Sequence, residues 1–127
     1  MEKFGILIVE DSEIYRKLLR NALQKVFPEI TIDEAVYGRE VLQKVDAFLP
    51  DLIFMDIRLP DEDGLELTKK VKATHPNIRI FILTGYDTQE FREATSQCGA
   101  DGFLAKTSFG LEELQDLLKS YLKAPTK

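Results

Sequence analysis

This chain reads as a doubly wound α/β domain, a parallel sheet of about five strands with helices on both faces. Three observations lead there. Short apolar runs alternate with helical periodicities from one end to the other, and the alternation repeats about five times. Glycine or proline punctuates most boundaries, at Pro28, Gly38, Pro50, Gly64, Pro76 and Gly99. No internal repeat or low-complexity tract suggests another architecture. Strands joined through a helix lie parallel, because such crossovers are right-handed and fold back onto the sheet.

Phe4 to Val9 is apolar apart from Gly5, too short for a buried helix and suited to a strand covered on both faces. Ile14, Leu18, Ala22 and Val26 then recur every four residues and predict one apolar helix stripe, capped by Ser12 and ended by Pro28. Ile30 to Val36 alternates weakly and reads as an edge strand. After Gly38, Val41, Val45 and Phe48 mark a helix that Pro50 closes. Leu52 to Met55 is the next strand and runs into Asp56. A loop of proline and acids leads to Gly64 and a helix with Leu67 and Val71, ending before His75-Pro76. Ile78 to Leu83 is a buried strand. Phe91, Ala94 or Thr95, and Cys98 predict a weaker helix stopped by Gly99. Gly102 to Ala105 is a short strand, and Leu111, Leu114, Leu118 and Tyr121 stripe the last helix. Residues 1–123 form the domain; 124–127 read as a tail or the start of a linker.

With 127 residues, 44% hydrophobic and 31% charged, the chain builds one core rather than two. No apolar run approaches the ~18 residues of a membrane span, and no leader-like segment precedes the first strand. Cys98 has no disulfide partner, and His75 has no cysteine or histidine cluster for zinc. The expected compartment is the cytoplasm. A net charge of −5 repels phosphate backbones, so direct nucleic-acid binding by this chain is not expected. The charge is uneven: residues 1–63 hold 14 acids against 8 bases, residues 64–127 hold 8 against 9. That asymmetry is consistent with a cation site in the first half.

In doubly wound sheets the ligand site lies beyond the carboxyl ends of the strands. Glu10 and Asp11 follow the first strand, Asp56 the third, Thr84 the fourth and Lys106 the fifth; the second contributes nothing obvious. Taken singly, each has an ordinary explanation as a helix start, turn residue, cap or surface lysine. Together they bring three carboxylates, a hydroxyl and an ammonium to one rim. Packed carboxylates repel unless a divalent cation and a lysine offset them, and oxygen ligands suit Mg²⁺.

The acidic pair, Met55-Asp56-Ile57-Arg58-Leu59-Pro60 with Gly64, Leu83-Thr84-Gly85, and Gly99-Ala100-Asp101-Gly102-Phe103-Leu104-Ala105-Lys106 together resemble the receiver domain of bacterial response regulators, over residues 4 to 122. The resemblance implies the CheY-like, flavodoxin-like order 2-1-3-4-5. It implies that Asp56 is the phosphoacceptor, taking a phosphoryl group from a sensor histidine kinase or histidine phosphotransfer protein. Asp11, Asp56 and the main-chain oxygen of Arg58 would hold Mg²⁺, with Glu10 direct or through water. Lys106 would pair with Asp56 at rest and with a phosphoryl oxygen afterwards. Thr84 would bond another such oxygen, and Phe103 would be the aromatic switch. The switched surface, around the fourth helix, fifth strand and fifth helix, would control an output protein or domain or a phosphorylation-dependent homodimer. On this reading the chain is no metabolic enzyme; it catalyses only its own phosphotransfer and autodephosphorylation.

Three departures stand out. Thr107 occupies the family's usual proline position after the lysine, Phe103 lacks the commoner tyrosine hydroxyl, and Arg58 and Tyr86 are bulky neighbours of the phosphoryl site. Cys98 reads as core and His75 as a loop residue; Ile14 and Tyr15 lie where a kinase helix bundle would dock, though Ile14 also fits the core stripe. Competing readings are a Mg²⁺-dependent phosphohydrolase, which needs a carboxylate where Arg58 stands, and a flavin module, whose phosphate Glu10 and Asp11 would repel. A receiver that is never phosphorylated, or the amino-terminal part of a transcriptional regulator, are the remaining alternatives.

Overall fold

In the computed structural model, residues 4–85, 88–106 and 110–122 are described, the side chains of Leu111, Tyr121 and Leu122 excepted. Tyr86, Thr107 and the tail at 124–127 lie outside the described residues. The apolar runs form β1 (Gly5–Val9), β2 (Thr31–Ala35), β3 (Leu52–Asp56), β4 (Arg79–Thr84) and β5 (Gly102–Ala105), within two residues of the predicted bounds. All neighbours pair in parallel, in the order β2-β1-β3-β4-β5. β1 and β3 are buried at every position, as central strands covered on both faces must be.

Alternation along the strands splits the core into two layers. Ile6, Ile8, Leu52 and Phe54 face one side and pack with Leu19 and Leu23 of α1 (Glu13–Val26) and Leu114 and Leu118 of α5 (Leu111–Leu122). Leu7, Val9, Ile53 and Met55 face the other, against Val41 and Val45 of α2 (Val41–Phe48) and Leu67 and Val71 of α3 (Gly64–Thr74). The remaining helix, α4 (Gln89–Gln97), packs beside β5. A 3-10 turn at Gly38–Glu40 precedes α2 and was not predicted. Among the described residues no helix is long and apolar enough to cross a membrane.

The predicted α1 stripe needs correction. Ile14 and Leu18 are 80% and 55% exposed, while Leu19 and Leu23 are fully buried. Steps of four residues overshoot the 3.6-residue turn, so a strict four-residue series drifts around the helix. Ile14 and Leu18 therefore face solvent, and only Ala22 and Val26, further along, reach the core. Ser12 does cap the helix, its side chain accepting from Tyr15 N at 3.2 Å.

Two glycines set the loops beneath the carboxyl rim. A Cβ on Gly64 would run into the main-chain oxygen of Asp56, so α3 can start this close to the end of β3 only with glycine there. The loop between is drawn tight by Gly64 N donating to Ile57 O (2.8 Å) and by a bridge between Arg58 and Asp63, which also caps α3. A Cβ on Gly38 would meet Glu62 Cβ at 2.7 Å. That contact lets Asp61 accept from the main-chain nitrogens of Gly38 (2.7 Å) and Arg39 (3.1 Å), tying the β3–α3 loop to the turn after β2.

Candidate functional site

Strand order reverses between β1 and β3, so the crevice of the doubly wound sheet opens there. Register sets Val9 beside Met55, and the chain then delivers Glu10 and Asp11 from one strand and Asp56 from the other. Their carboxylate oxygens lie within 4.8 Å of one another. Glu10 and Asp56 are buried, while Asp11 is exposed at the mouth.

Lys106, following β5, reaches across to this cluster. Its Nζ lies 2.6 Å from Glu10 Oε1 and 3.4 Å from Asp56 Oδ2, so the tighter ion pair is with Glu10. The ring of Tyr15 forms a third side, with Nζ 5.0 Å from its centroid. Lys106 N donates to Thr84 O (2.8 Å), which fixes the buried threonine and the lysine relative to each other.

The charges leave their mark on protonation. Burial, and next the negative charge of Glu10, push Asp56 up to about 6; the ammonium of Lys106 and the main-chain N–H of Arg58 oppose this and do not prevail. For Lys106 burial works against the ammonium, but Glu10 and Asp56 outweigh it and hold the lysine above its usual range. Burial, with Glu10 and Asp56, also pushes the Tyr15 phenol well up, so it stays protonated.

Asp56, Ile57, Arg58, Thr84, Gly85, Phe91 and Lys106 line a cleft of about 320 Å³. The predicted residues thus come together: Glu10, Asp11, Asp56 and Lys106 in one cluster, with Thr84 and Arg58 on the cleft wall. Phe103 stands apart, half-buried in the core layer of Ile82, its ring under the guanidinium of Arg92 at 4.9 Å. Phe91 lies in α4, as its place in the predicted helix implies, and also lines the cleft. The sequence reading also missed Arg16 and Glu34. Arg16 donates to the Glu10 main-chain oxygen (2.9 Å) and to Glu34 (3.0 Å), so β2 does reach the site. Arg16 and Arg20 lie one turn apart in the sequence, but nothing local pairs them with Glu34.

Hard carboxylate oxygens this close, one of them exposed, make a donor set suited to a small divalent cation. Glu10 is already engaged by Lys106 and by Ser12 N (2.9 Å), which leaves Asp11 and Asp56 as the more available donors.

Comparison with known proteins agrees with this geometry. Residues 6–119 match the response regulator receiver domain. The chain is 35% identical over 119 residues to the chemotaxis protein CheY of Halobacterium salinarum, covering 94% of this chain and 97% of that protein. It is 33% identical over 117 residues to sporulation initiation phosphotransferase F of Bacillus subtilis, covering 92% of each. Response regulator MprA of Mycolicibacterium vanbaalenii is 34% identical over 121 residues, 95% of this chain but only 51% of MprA, so the chain spans about half of that relative. Among solved structures, a two-component response regulator from Clostridium difficile superposes with a TM-score of 0.88 at 26% identity, covering 98% of this chain and all of that one. The chain belongs to the response regulator receiver domain family of two-component signalling.

Proposed function

We propose that this chain is a phosphorylation switch in which Asp56 accepts a phosphoryl group from a phosphohistidine on a sensor histidine kinase or histidine phosphotransfer protein. The observation that carries the reading is the buried Asp56 carboxylate, set between Glu10, Asp11 and the Lys106 ammonium at the floor of an open cleft. An Asp56 oxygen attacks phosphorus in line, the phosphorus–oxygen bond forms, and the phosphorus–nitrogen bond to the donor imidazole breaks with its electron pair left on nitrogen. Autodephosphorylation reverses the attachment: water attacks phosphorus and the bond to Asp56 breaks.

Asp11, Asp56 and the main-chain oxygen of Arg58, with Glu10 beside them, would hold Mg²⁺, and the bound ion would neutralise charge on the phosphoryl oxygens. Lys106 moves its ammonium from the carboxylates toward a new phosphoryl oxygen, a short shift because it already sits 3.4 Å from Asp56. Thr84, on the cleft wall, offers a hydroxyl to another such oxygen. An acyl phosphate adds up to about two negative charges in this confined place, enough to bias the β4–α4 loop between two arrangements. Phe103 turns with it, and the surface of α4, β5 and α5 carries the change to an output protein or domain. Ile14 and Leu18, exposed on one face of α1 near the acidic pair, supply apolar contact for the phosphodonor protein.

Acetyl phosphate with Mg²⁺ should add one phosphoryl group by intact mass, and Asp56→Asn should add none. Full labelling of that variant, or of the parent in chelator, would overturn the assignment.

A further inference from the structure

Two acids that share a cation need more than adjacency in sequence: the peptide plane joining them must be held so that both side chains reach one point. We propose that Arg16 is the positioning residue for Glu10 and Asp11, and that Glu34 on the edge strand holds Arg16 in place. The inference rests on the cation-binding reading given above and adds the support that reading lacks.

The oxygen that Arg16 Nη1 grips at 2.9 Å is the carbonyl of the Glu10–Asp11 peptide itself. Its direction sets the tilt of the plane from which the Asp11 side chain departs. The guanidinium is in turn fixed by Nε donating to Glu34 Oε1 at 3.0 Å, and Arg20 Nη1 takes Glu34 Oε2 at 2.6 Å. Arg16 is only 14% exposed at its side chain, so this is a packed fork rather than a surface pair. The fold makes the reach inevitable. Glu34 pairs with Ile8 in the β1–β2 register, and it shares the α1 side of the sheet with Ile32, two residues before it. Arg16 and Arg20 are one turn apart on α1, so one carboxylate receives both. At the other end of the residue, Glu10 N donates to Ala35 O at 3.1 Å, and Ser12 N donates to Glu10 Oε2 at 2.9 Å. With the Arg16 contact, Glu10 and the peptide that follows it are held at nitrogen, carbonyl and side chain.

Charge and positioning predict opposite signs, which makes the proposal sharp. A guanidinium beside a cation site repels the cation, so by charge alone removing it tightens binding. Removing a support that aims the ligands weakens binding, as loss of outer partners does at metal centres.

The test is Mg²⁺ titration of the full chain by amide NMR shifts, repeated with Mn²⁺ by electron paramagnetic resonance, with urea unfolding of each variant in parallel. Arg16→Ala should weaken Mg²⁺ on the order of 10-fold. Arg16→Lys keeps the charge but lacks the planar fork, and should recover less than half of that loss on a logarithmic scale. Glu34→Gln should weaken binding by about 2- to 5-fold, because the fork loses its charged anchor. In the metal-free protein the Asp11 amide nitrogen shift should move in all three, a change that a general loss of stability does not produce. If Arg16→Ala does not fold, the other two variants decide. Binding as tight as the parent's, or tighter, in folded Arg16→Lys and Glu34→Gln overturns the positioning role and leaves the cation reading standing. A parent that binds neither Mg²⁺ nor Mn²⁺ overturns both.

Discussion

Replacing Asp56 by Asn should make the metal-free protein more stable at neutral pH. The side chain keeps its shape, and its amide oxygen still accepts from the main-chain N–H of Arg58. What disappears is a charge that folding buries beside Glu10. Asp56 is 6% exposed and its carboxyl is pushed from 3.8 to about 6, so folding at pH 7 carries a penalty of up to about 3 kcal/mol. Solvent in the open cleft screens part of this, and about 1 to 2 kcal/mol is the expected gain. Lys106 is not stranded by the change, because Glu10 remains 2.6 Å away. The sign follows from proton uptake. The folded carboxyl binds its proton more tightly than the unfolded one, so the penalty is absent below about pH 4, grows as pH rises, and is complete above about pH 6. Urea unfolding in chelator at pH 4.5 and pH 7.5 reads this directly, with the Asn variant ahead at 7.5 and the gap much reduced at 4.5. Mg²⁺ at a hundredfold excess over its dissociation constant should stabilise the parent by ~2.7 kcal/mol and narrow the gap. A parent as stable as the variant at pH 7.5 without metal would refute the argument that the site is held together against its own charge.

Three further outcomes follow from the same geometry. Gly64→Ala should destabilise the fold by at least about 2 kcal/mol in urea unfolding, because its Cβ has no place beside the Asp56 carbonyl; an unchanged midpoint would mean that α3 starts elsewhere. Asp11→Ala should weaken Mg²⁺ binding, followed by NMR, far more than Glu10→Ala, since Glu10 is already taken up by Lys106 and Ser12 N; equal effects would mean that both acids ligate the ion alike. Arg58→Ala, on the cleft wall, should speed loss of phosphate from the phosphorylated protein by about 5-fold through easier entry of in-line water, and an unchanged half-life would place the control of lifetime elsewhere.

The central strands were legible because a doubly covered strand is written as an unbroken apolar run, and the rim followed because every strand but the second ends at a chemically distinct residue. Helix faces were less legible. The α1 series looked regular by count, but its steps exceed the helical turn, so the exposed Ile14 and Leu18 passed for core. Lys106 was expected to pair with Asp56, and the structure adds a closer partner in Glu10, whose burial no local pattern announces. Arg16 and Glu34 were invisible for a different reason. Their meeting depends on the β1–β2 register and on which side of the sheet α1 covers, and pairs of opposite charge eighteen residues apart occur on any surface. Asp61 tying down the turn at Gly38 is hidden in the same way.

The most direct test of the central claim locates the phosphoryl bond itself. Protein treated with acetyl phosphate and Mg²⁺ is reduced with borohydride, which converts an acyl phosphate to the alcohol and leaves free carboxylates unchanged. Trypsin then releases residues 45–58, a peptide that carries Asp46, Asp51 and Asp56, and fragment-ion sequencing assigns the reduced position. The account predicts homoserine at residue 56 alone, absent when Mg²⁺ is chelated. Reduction at Asp46, Asp51 or Asp11, or no reduced residue in protein that has gained phosphoryl mass, would contradict it.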